Sequence, residues 1–176
     1  MTDDPFSRWN LTPVINASGT MTSIGASRVP EQVRVVVDRI LGAFVCMDEL
    51  QARAGAVIAA ATGAEAGCVT ACSAAAMTQT VAACLTGSDL AAIEALPFAT
   101  GERRVLLSAG HMDNYGAPVD QSILLAGAEV VPIGMAATCE TWHLRDALVR
   151  GASAAMYVVS HHTVRENELP MEVFIS

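Results

Sequence analysis

From residue 67 onward, short apolar runs alternate with longer segments in which apolar residues recur at helical spacing. The apolar runs predict four strands, at 67–70, 104–108, 129–133 and 154–160. The segments with helical spacing predict helices at 73–85, 118–125 and 141–149, each followed within two residues by a glycine. Strands that alternate with helices in this way predict an α/β fold with a parallel sheet.

The first 66 residues follow a different pattern. Residues 1–13 are polar with two prolines and predict a flexible arm, and residues 14–27 are rich in glycine and hydroxylated side chains, which is typical of an ordered loop. Apolar residues then follow helical spacing from Pro30 to Phe44. A second helix is predicted over 48–62, ending at Gly63. No alternation of strand and helix is predicted in this part of the chain.

Composition adds the expectation of a large interface. Apolar residues make up 52% of the 176 residues, above the usual ~45–50%, and charged residues only 16%, below the usual ~25%. Residues 169–173 resemble the opening of a further helix, and a sheet of about four parallel strands leaves an edge that proteins rarely expose. We therefore expect either a truncated chain or a second chain that completes the sheet.

Charge narrows the classes of partner and of chemistry. The net charge is −8, which argues against binding to nucleic acid or to an anionic membrane surface. All ten basic residues are arginines, so any mechanism that needs a lysine from these residues is excluded. The uncharged run 66–88 is long enough for a membrane span, but its glycine and hydroxyl residues favour a buried strand followed by a buried helix. Five scattered cysteines and no secretory signal indicate a reduced, cytoplasmic setting.

The junction between the first predicted strand and the next helix is a candidate anion site. Thr70-Ala71-Cys72-Ser73 combines two hydroxyls with small side chains, and the exposed N–H groups at a helix start attract anions. A phosphate could approach such a backbone closely. The alternative is that the alanine-rich helix start exists for close packing.

Two further polar segments follow predicted strands, where ligands bind in open α/β folds. The first is 108–116, in which His111, Asn114 and Tyr115 can stack on a ring or donate hydrogen bonds; the alternative is a polar loop with a turn. The second is Ser160-His161-His162-Thr163. Adjacent histidines on an extended chain point in opposite directions, and no cysteine spacing matches a structural zinc site, so we expect a ligand-facing Ser160 and one inward histidine, with no metal.

Three motifs together resemble one family, the D-glucosaminate-6-phosphate ammonia-lyase branch of the selenocysteine-synthase-like enzymes. They are VINASGT at 14–20, GHMDNYGAPV at 110–119 and YVVSHHTV at 157–164. The resemblance covers nearly the whole chain and rests on the order of all three motifs. It implies the aspartate aminotransferase fold (fold type I), a three-layer α/β/α domain that binds pyridoxal 5′-phosphate (PLP).

The resemblance also implies roles for particular residues. The family cradles the PLP phosphate where this chain has Thr70, Ala71, Cys72 and Ser73, although a more usual Ser-Gly-Ala is replaced here by Ala71-Cys72-Ser73. His111 and Ser160 fall beside the cofactor, and His161 or His162 is a candidate catalytic residue. Substrate contacts are expected from the amino-terminal loop, which often reaches a neighbouring subunit, and from the loop after the second predicted strand: Asn16, Ser18, Thr20, Thr22, Asn114 and Tyr115. The implied organisation is an arm and active-site loop at 1–27 and the amino-terminal half of the PLP domain at 28–176.

In this family, the aspartate that pairs with the pyridine nitrogen and the lysine that binds PLP lie beyond the matching segment. The resemblance therefore implies one subunit of a split PLP-dependent lyase or transferase, active only in a complex, that acts by elimination or substitution on a small amino-bearing substrate. A second polypeptide would carry the carboxyl-terminal half, in a heterodimer or heterotetramer that shares the cofactor. Two alternatives remain at this point: a non-catalytic structural or regulatory subunit bound to a PLP-family partner, and a small phosphate- or nucleotide-binding module.

Overall fold

A computed structural model describes residues 4–160, 163 and 167–176. The chain divides into two compact units, one up to Ala66 and one from Gly67 onward. The predicted α/β architecture is confirmed in the second unit, whereas the described part of the first unit is helical and irregular.

The described part of the first unit holds three α-helices and one short 3₁₀ turn. They are α1 (Pro5–Trp9), the 3₁₀ turn Thr22–Ile24, α2 (Glu31–Leu41) and α3 (Met47–Thr62). The prediction of a flexible arm is wrong over α1, because the Asp4 carboxylate caps the helix by accepting from the N–H groups of Phe6 and Ser7. The ends of α2 and α3 lie within a few residues of those predicted, and α3 ends at Gly63, whose φ of +75° suits a residue without Cβ.

Almost nothing is buried in the described part of the first unit. Gly55 is the one buried residue in its three α-helices. The apolar stripe of α2 is exposed along its whole length: Val33 44%, Val36 61%, Val37 44% and Ile40 37%. The helical periodicity therefore predicts the helix correctly, but the apolar side of α2 is not covered by the described part of the first unit.

The second unit is built around a parallel sheet of three strands in the order β2-β1-β3. The strands are β1 (Arg104–Ser108), β2 (Glu129–Ile133) and β3 (Ala154–Met156). Val105 of the central strand pairs with Val130 on one side and with Ala154 on the other. The helices of this unit are α4 (Ser73–Thr86), α5 (Leu90–Glu94), α6 (Val119–Leu125), α7 (Thr141–Val149) and α8 (Met171–Phe174).

Alternate side chains of β1 enter two separate hydrophobic cores. Val105 and Leu107 pack with α4 and α6, in a core that includes Val81 and Ile123. Leu106 faces the other side of the sheet and packs with residues that include Leu144 of α7. Val105, Leu106 and Leu107 are each at most 1% exposed. The second unit therefore has the three-layer α/β/α arrangement that the resemblance implied.

Three local predictions for the second unit need correction. Residues 67–70 form no strand in the structure and join none of the three strands of the described sheet; Val69 is 50% exposed. The strand predicted over 154–160 ends at Met156, where pairing with β1 stops. The short helix α5 was not predicted, although Asp89 caps it through the N–H groups of Ala91 and Ala92. Among the described residues, no helix is both long and apolar enough to cross a membrane.

Candidate functional site

His111 lies at the carboxyl end of the central strand and is 2% exposed. A single 3₁₀ turn (Ala109–His111) carries the chain from β1 to this position. The Val158 N–H donates to His111 Nδ1 at 3.4 Å, and the Tyr157 ring packs edge-on against the imidazole with the centroids 4.6 Å apart. Because Nδ1 accepts, the proton of the neutral ring is on Nε2. The segments that follow β1 and β3 therefore meet at one edge of the sheet, as expected for parallel strands.

Glu168 is a neighbour of His111 that sequence reasoning missed. Its Oε2 accepts a 2.9 Å hydrogen bond from the Ser108 hydroxyl at the end of β1. No donor in the described chain reaches the buried Oε1. A Cβ added at Gly110 would lie 2.6 Å from that oxygen and 2.9 Å from the backbone carbonyl oxygen of Ala136, so glycine leaves the space that both need. Sixty positions separate Ser108 from Glu168, and no local pattern in the sequence signals their pairing.

The electrostatics of this cluster act on two side chains. Burial lowers the pKa of the His111 imidazole below its usual value, and the negative charge of Glu168 opposes that shift. Burial also raises the pKa of the Cys139 thiol, against a hydrogen bond with Ser108 that lowers it, and the charge of Glu168 adds to the increase. His111 is therefore neutral at pH 7, and Cys139 is a protonated thiol.

A cavity of about 330 Å³ opens beside His111. Its polar lining residues are His111, Tyr157, Thr163, Glu168 and Glu172. The cavity combines an imidazole, a phenol, a hydroxyl and two carboxylates in one place, so it offers both donors and acceptors to a small ligand.

The start of α4 has the features of an anion cradle. Cys72 precedes the helix in an extended conformation, no side chain caps the first turn, and no acidic residue lies in it. Ala71, Cys72 and Ser73 are exposed and Thr70 is half-buried. The Thr70 hydroxyl donates to the Cys72 carbonyl at 3.0 Å, which fixes the turn and leaves the hydroxyl oxygen able to accept. The backbone N–H groups are the donors that a phosphate needs, and the small side chains leave room for it to approach them.

A hydrogen bond ties α4 to the helix that follows the His111 loop. The Thr78 hydroxyl donates to the Ser122 carbonyl at 2.9 Å. Thr78 is five residues from Ser73, which corresponds to about 7.5 Å along the helix axis. The start of α4 is therefore anchored close to the first turn of α6, on the same face of the sheet.

The other predicted site residues of the second unit lie in ordered turns. The Asn114 Oδ1 accepts from the Gly116 N–H at 2.8 Å, and Gly116 has a φ of +94°, which accounts for the predicted turn. Tyr115 is 49% exposed. The Ser160 carbonyl accepts from the Thr163 hydroxyl at 2.8 Å, so Ser160 contacts a residue that lines the cavity. His161 and His162 lie outside the described residues.

The predicted substrate loop of the first unit is held by local bonds. Asn16 Nδ2 donates to the Gly19 carbonyl, and Asn16 Oδ1 accepts from the Ser18 N–H, so this amide closes an Asx turn. Thr20 is exposed, and Thr22 begins the 3₁₀ turn. The loop is ordered as predicted, and its role in substrate binding stays a prediction.

Comparison with known proteins gives the relatives of this chain. It is 35% identical over 176 residues to the D-glucosaminate-6-phosphate ammonia lyase of Salmonella typhimurium, a match that covers 99% of the chain and 48% of the enzyme. A solved structure of D-glucosaminate-6-phosphate ammonia-lyase matches with a TM-score of 0.93 over 99% of this chain and 48% of that one, again at 35% identity. The chain is homologous to D-glucosaminate-6-phosphate ammonia lyase. The predicted resemblance is therefore confirmed.

A second relative carries a different name. The 5′-C-glycyluridine monooxygenase-decarboxylase of a Streptomyces species is 29% identical over 169 residues, which cover 94% of the chain and 42% of that protein. No known family profile matches the chain. The chain spans about half the length of the curated relatives it matches, the ammonia lyase included.

Proposed function

We propose that this chain forms part of the active site of a PLP-dependent enzyme. The observation that carries the proposal is the uncapped start of α4, formed by small residues in a chain that is 35% identical to the ammonia lyase over 99% of its length. A phosphate group bound there would satisfy the N–H groups of the first helical turn.

Each part of the site has a distinct task in this proposal. The backbone around Ala71, Cys72 and Ser73, with the Thr70 hydroxyl, would hold the phosphate, and His111 and Ser160 would contact the rest of the cofactor. When bound, PLP supplies an electron sink for the carbon that bears the substrate amine. The neutral His111 offers a donor at Nε2 without adding a positive charge, at the wall of the cavity described above.

The remaining groups of such a site come from outside these residues. The 176 residues contain no lysine, so a lysine that binds PLP would belong to polypeptide beyond them. In the family that the chain resembles, the aspartate that pairs with the ring nitrogen also lies beyond the matching segment. We propose a second chain, in a heterodimer or heterotetramer. The exposed apolar stripe of α2 supports this, because covering apolar surface gains about 25 cal/mol per Å².

The reaction we propose is elimination or substitution on a small amino-bearing substrate. The two relatives are named for different reactions, an ammonia lyase and a monooxygenase-decarboxylase. Homology therefore supports a shared cofactor site more strongly than any single reaction. The substrate contacts would come from Asn114 and Tyr115 and from the loop residues Asn16, Ser18, Thr20 and Thr22, with His161 or His162 as candidate proton carriers.

The test is isolation of the protein from its own cells, followed by borohydride treatment and peptide mass spectrometry. The expected result is a pyridoxyl group on a lysine peptide that is absent from the 176 residues, in a complex that contains this chain. Ser73→Asp should abolish retention of the cofactor, because a carboxylate at the first turn of α4 repels the phosphate.

Ser88→Asp is the matched control, since Ser88 is an exposed serine just beyond the other end of the same helix. A carboxylate in the first turn of a helix stabilises it, so unfolding does not account for a loss seen only with Ser73→Asp. Equal cofactor content in both variants would refute the cradle. A complex that assembles but never carries PLP would favour the non-catalytic subunit instead.

A further inference from the structure

Glu168 belongs to a set of connected contacts around His111. The Ser108 hydroxyl donates to Glu168 Oε2 at 2.9 Å. The next residue, Leu169, accepts a 2.9 Å hydrogen bond from the Tyr157 hydroxyl, and the Tyr157 ring lies edge-on against His111. His111 is itself three residues after Ser108. Two contacts therefore connect the Glu168 segment to His111. One runs through Ser108 in the preceding strand, and the other runs through Leu169 and the Tyr157 ring.

The segment that carries Glu168 is fixed from its other side as well. The Asn167 carbonyl accepts from the Cys139 N–H at 3.0 Å, and Asn167 adopts a left-handed conformation with φ +60°. Gly110 leaves just enough room for the carboxylate, since a Cβ there would lie 2.6 Å from Oε1. The position of the carboxylate is thus set by three separate parts of the fold: the end of β1, the 3₁₀ turn and the loop before α7.

The hydrogen bonding of Glu168 leaves its charge only partly neutralised. Oε2 has the Ser108 hydroxyl, but Oε1 is buried without a donor from the described residues. Inside a protein the field of such a charge is less screened than in water. It reaches His111, whose pKa it raises against the effect of burial.

We propose that Glu168 is a positioning residue that acts through His111: its carboxylate, anchored on Ser108, fixes the orientation of the imidazole at the wall of the cavity and favours its protonated form against the effect of burial. The titratable groups that share this cavity with His111 are Tyr157, Glu168 and Glu172. Any consequence of Glu168 for the cofactor, through His111, rests on the proposed PLP site, but the effect on His111 itself does not.

The test is the pH titration of His111, read by NMR of the protein with ¹³C-labelled histidine in the assembly in which it is isolated. The chain has four histidines, and His111→Gln assigns the signal. Glu168→Gln keeps an acceptor for the Ser108 hydroxyl and removes only the charge. We expect the midpoint of the His111 titration to move to lower pH in that variant.

Glu172→Gln is the matched control, because it removes the same charge from an exposed residue of the same cavity lining, where water screens that charge. Its His111 midpoint should stay with that of the parent protein. Equal midpoints in both variants, or an upward shift in Glu168→Gln, would overturn the proposal. Ser108→Ala provides a second measurement should Glu168→Gln fail to fold: it keeps the charge and releases the anchor. Ser108→Ala should shift the chemical shift of the His111 ring at fixed pH, and an unchanged chemical shift would also contradict the proposed role of Glu168.

These measurements remain informative if the cofactor proposal fails. A protein that never binds PLP but shows the Glu168-specific shift of His111 retains the positioning role and loses only the cofactor assignment. A protein that binds PLP while both glutamate variants titrate alike loses the positioning role and keeps the cofactor site.

Discussion

In the second unit the central strand β1 is buried on both faces, whereas in the first unit the apolar stripe of α2 is exposed along its length. Leu107 is 0% exposed, and Leu41, at the end of α2, is 80% exposed. Both segments show the periodicity expected of their secondary structure. Periodicity therefore predicts which face of an element is apolar, but not whether the same chain covers that face. In the first unit, the cover must come from elsewhere if the stripe is to be buried at all.

A matched pair of leucine substitutions should show the largest difference between the units. Leu107→Ala opens a cavity between the sheet and two helices and should lower the free energy of unfolding by about 2–5 kcal/mol. Leu41→Ala removes an exposed side chain and should change it by less than about 0.5 kcal/mol. Urea unfolding followed by far-UV circular dichroism measures both. A Leu41→Ala loss as large as that of Leu107→Ala would mean that Leu41 is buried in the assembled protein.

Two glycines with positive φ give the next largest contrast. Gly127 in the second unit has φ +85°, and an added Cβ would clash with the Pro97 carbonyl, while Gly63 in the first unit has φ +75° and open space around it. Gly63→Ala should cost the left-handed strain alone, about 1–2 kcal/mol. Gly127→Ala adds a steric displacement of about 1–3 kcal/mol. Thermal unfolding of both variants measures the two losses of stability, and equal losses would contradict the expected clash with the Pro97 carbonyl.

The smallest expected effect is a pH-dependent one at the amino end of the sheet. The Arg104 guanidinium donates to Glu102 at 2.9 and 2.8 Å and to the Arg150 carbonyl. These hydrogen bonds lower the pKa of the Glu102 carboxyl to about 2. The stabilisation is therefore present above the ordinary pKa of 4.5 and is lost as the pH falls through about 2.

Glu102→Gln should accordingly weaken the protein at pH 7 and leave its stability unchanged once the carboxyl is protonated. The counterpart in the first unit is Glu31→Gln, which removes the exposed Glu31–Arg34 pair within α2. Urea midpoints at neutral and acid pH compare the two. A greater loss from Glu31→Gln would contradict the expectation that the Glu102–Arg104 pair contributes more to stability than the Glu31–Arg34 pair.

Local signals were sufficient for much of the fold. Strands β1 and β2 and helix α7 have the ends that the apolar runs and the following glycines predicted. The segment 67–70 was predicted as a strand on the same kind of evidence and is not one, because a strand also needs a neighbour to pair with. Such a neighbour is a property of the whole fold, and no local pattern contains it.

The candidate site divides in the same way. His111 was found because it follows a strand, and its burial against Tyr157 was not needed to single it out. Glu168 was missed because its partner Ser108 is sixty positions away and the residues around Glu168 have no periodicity. The small-residue start of α4 was visible in the sequence, but the absence of any side-chain cap became apparent only from the structure.

The sharing of β1 between two cores has an evolutionary consequence. Val105 and Leu107 face one helical layer while Leu106 faces the other, so consecutive positions of the strand pack against different residues. A change of side-chain volume at one position can be compensated only on its own side of the sheet. Among related sequences, residues 105 and 107 should therefore covary with α4 and α6, whereas residue 106 should covary with α7. The two sets of residues should vary independently of each other although they share one strand.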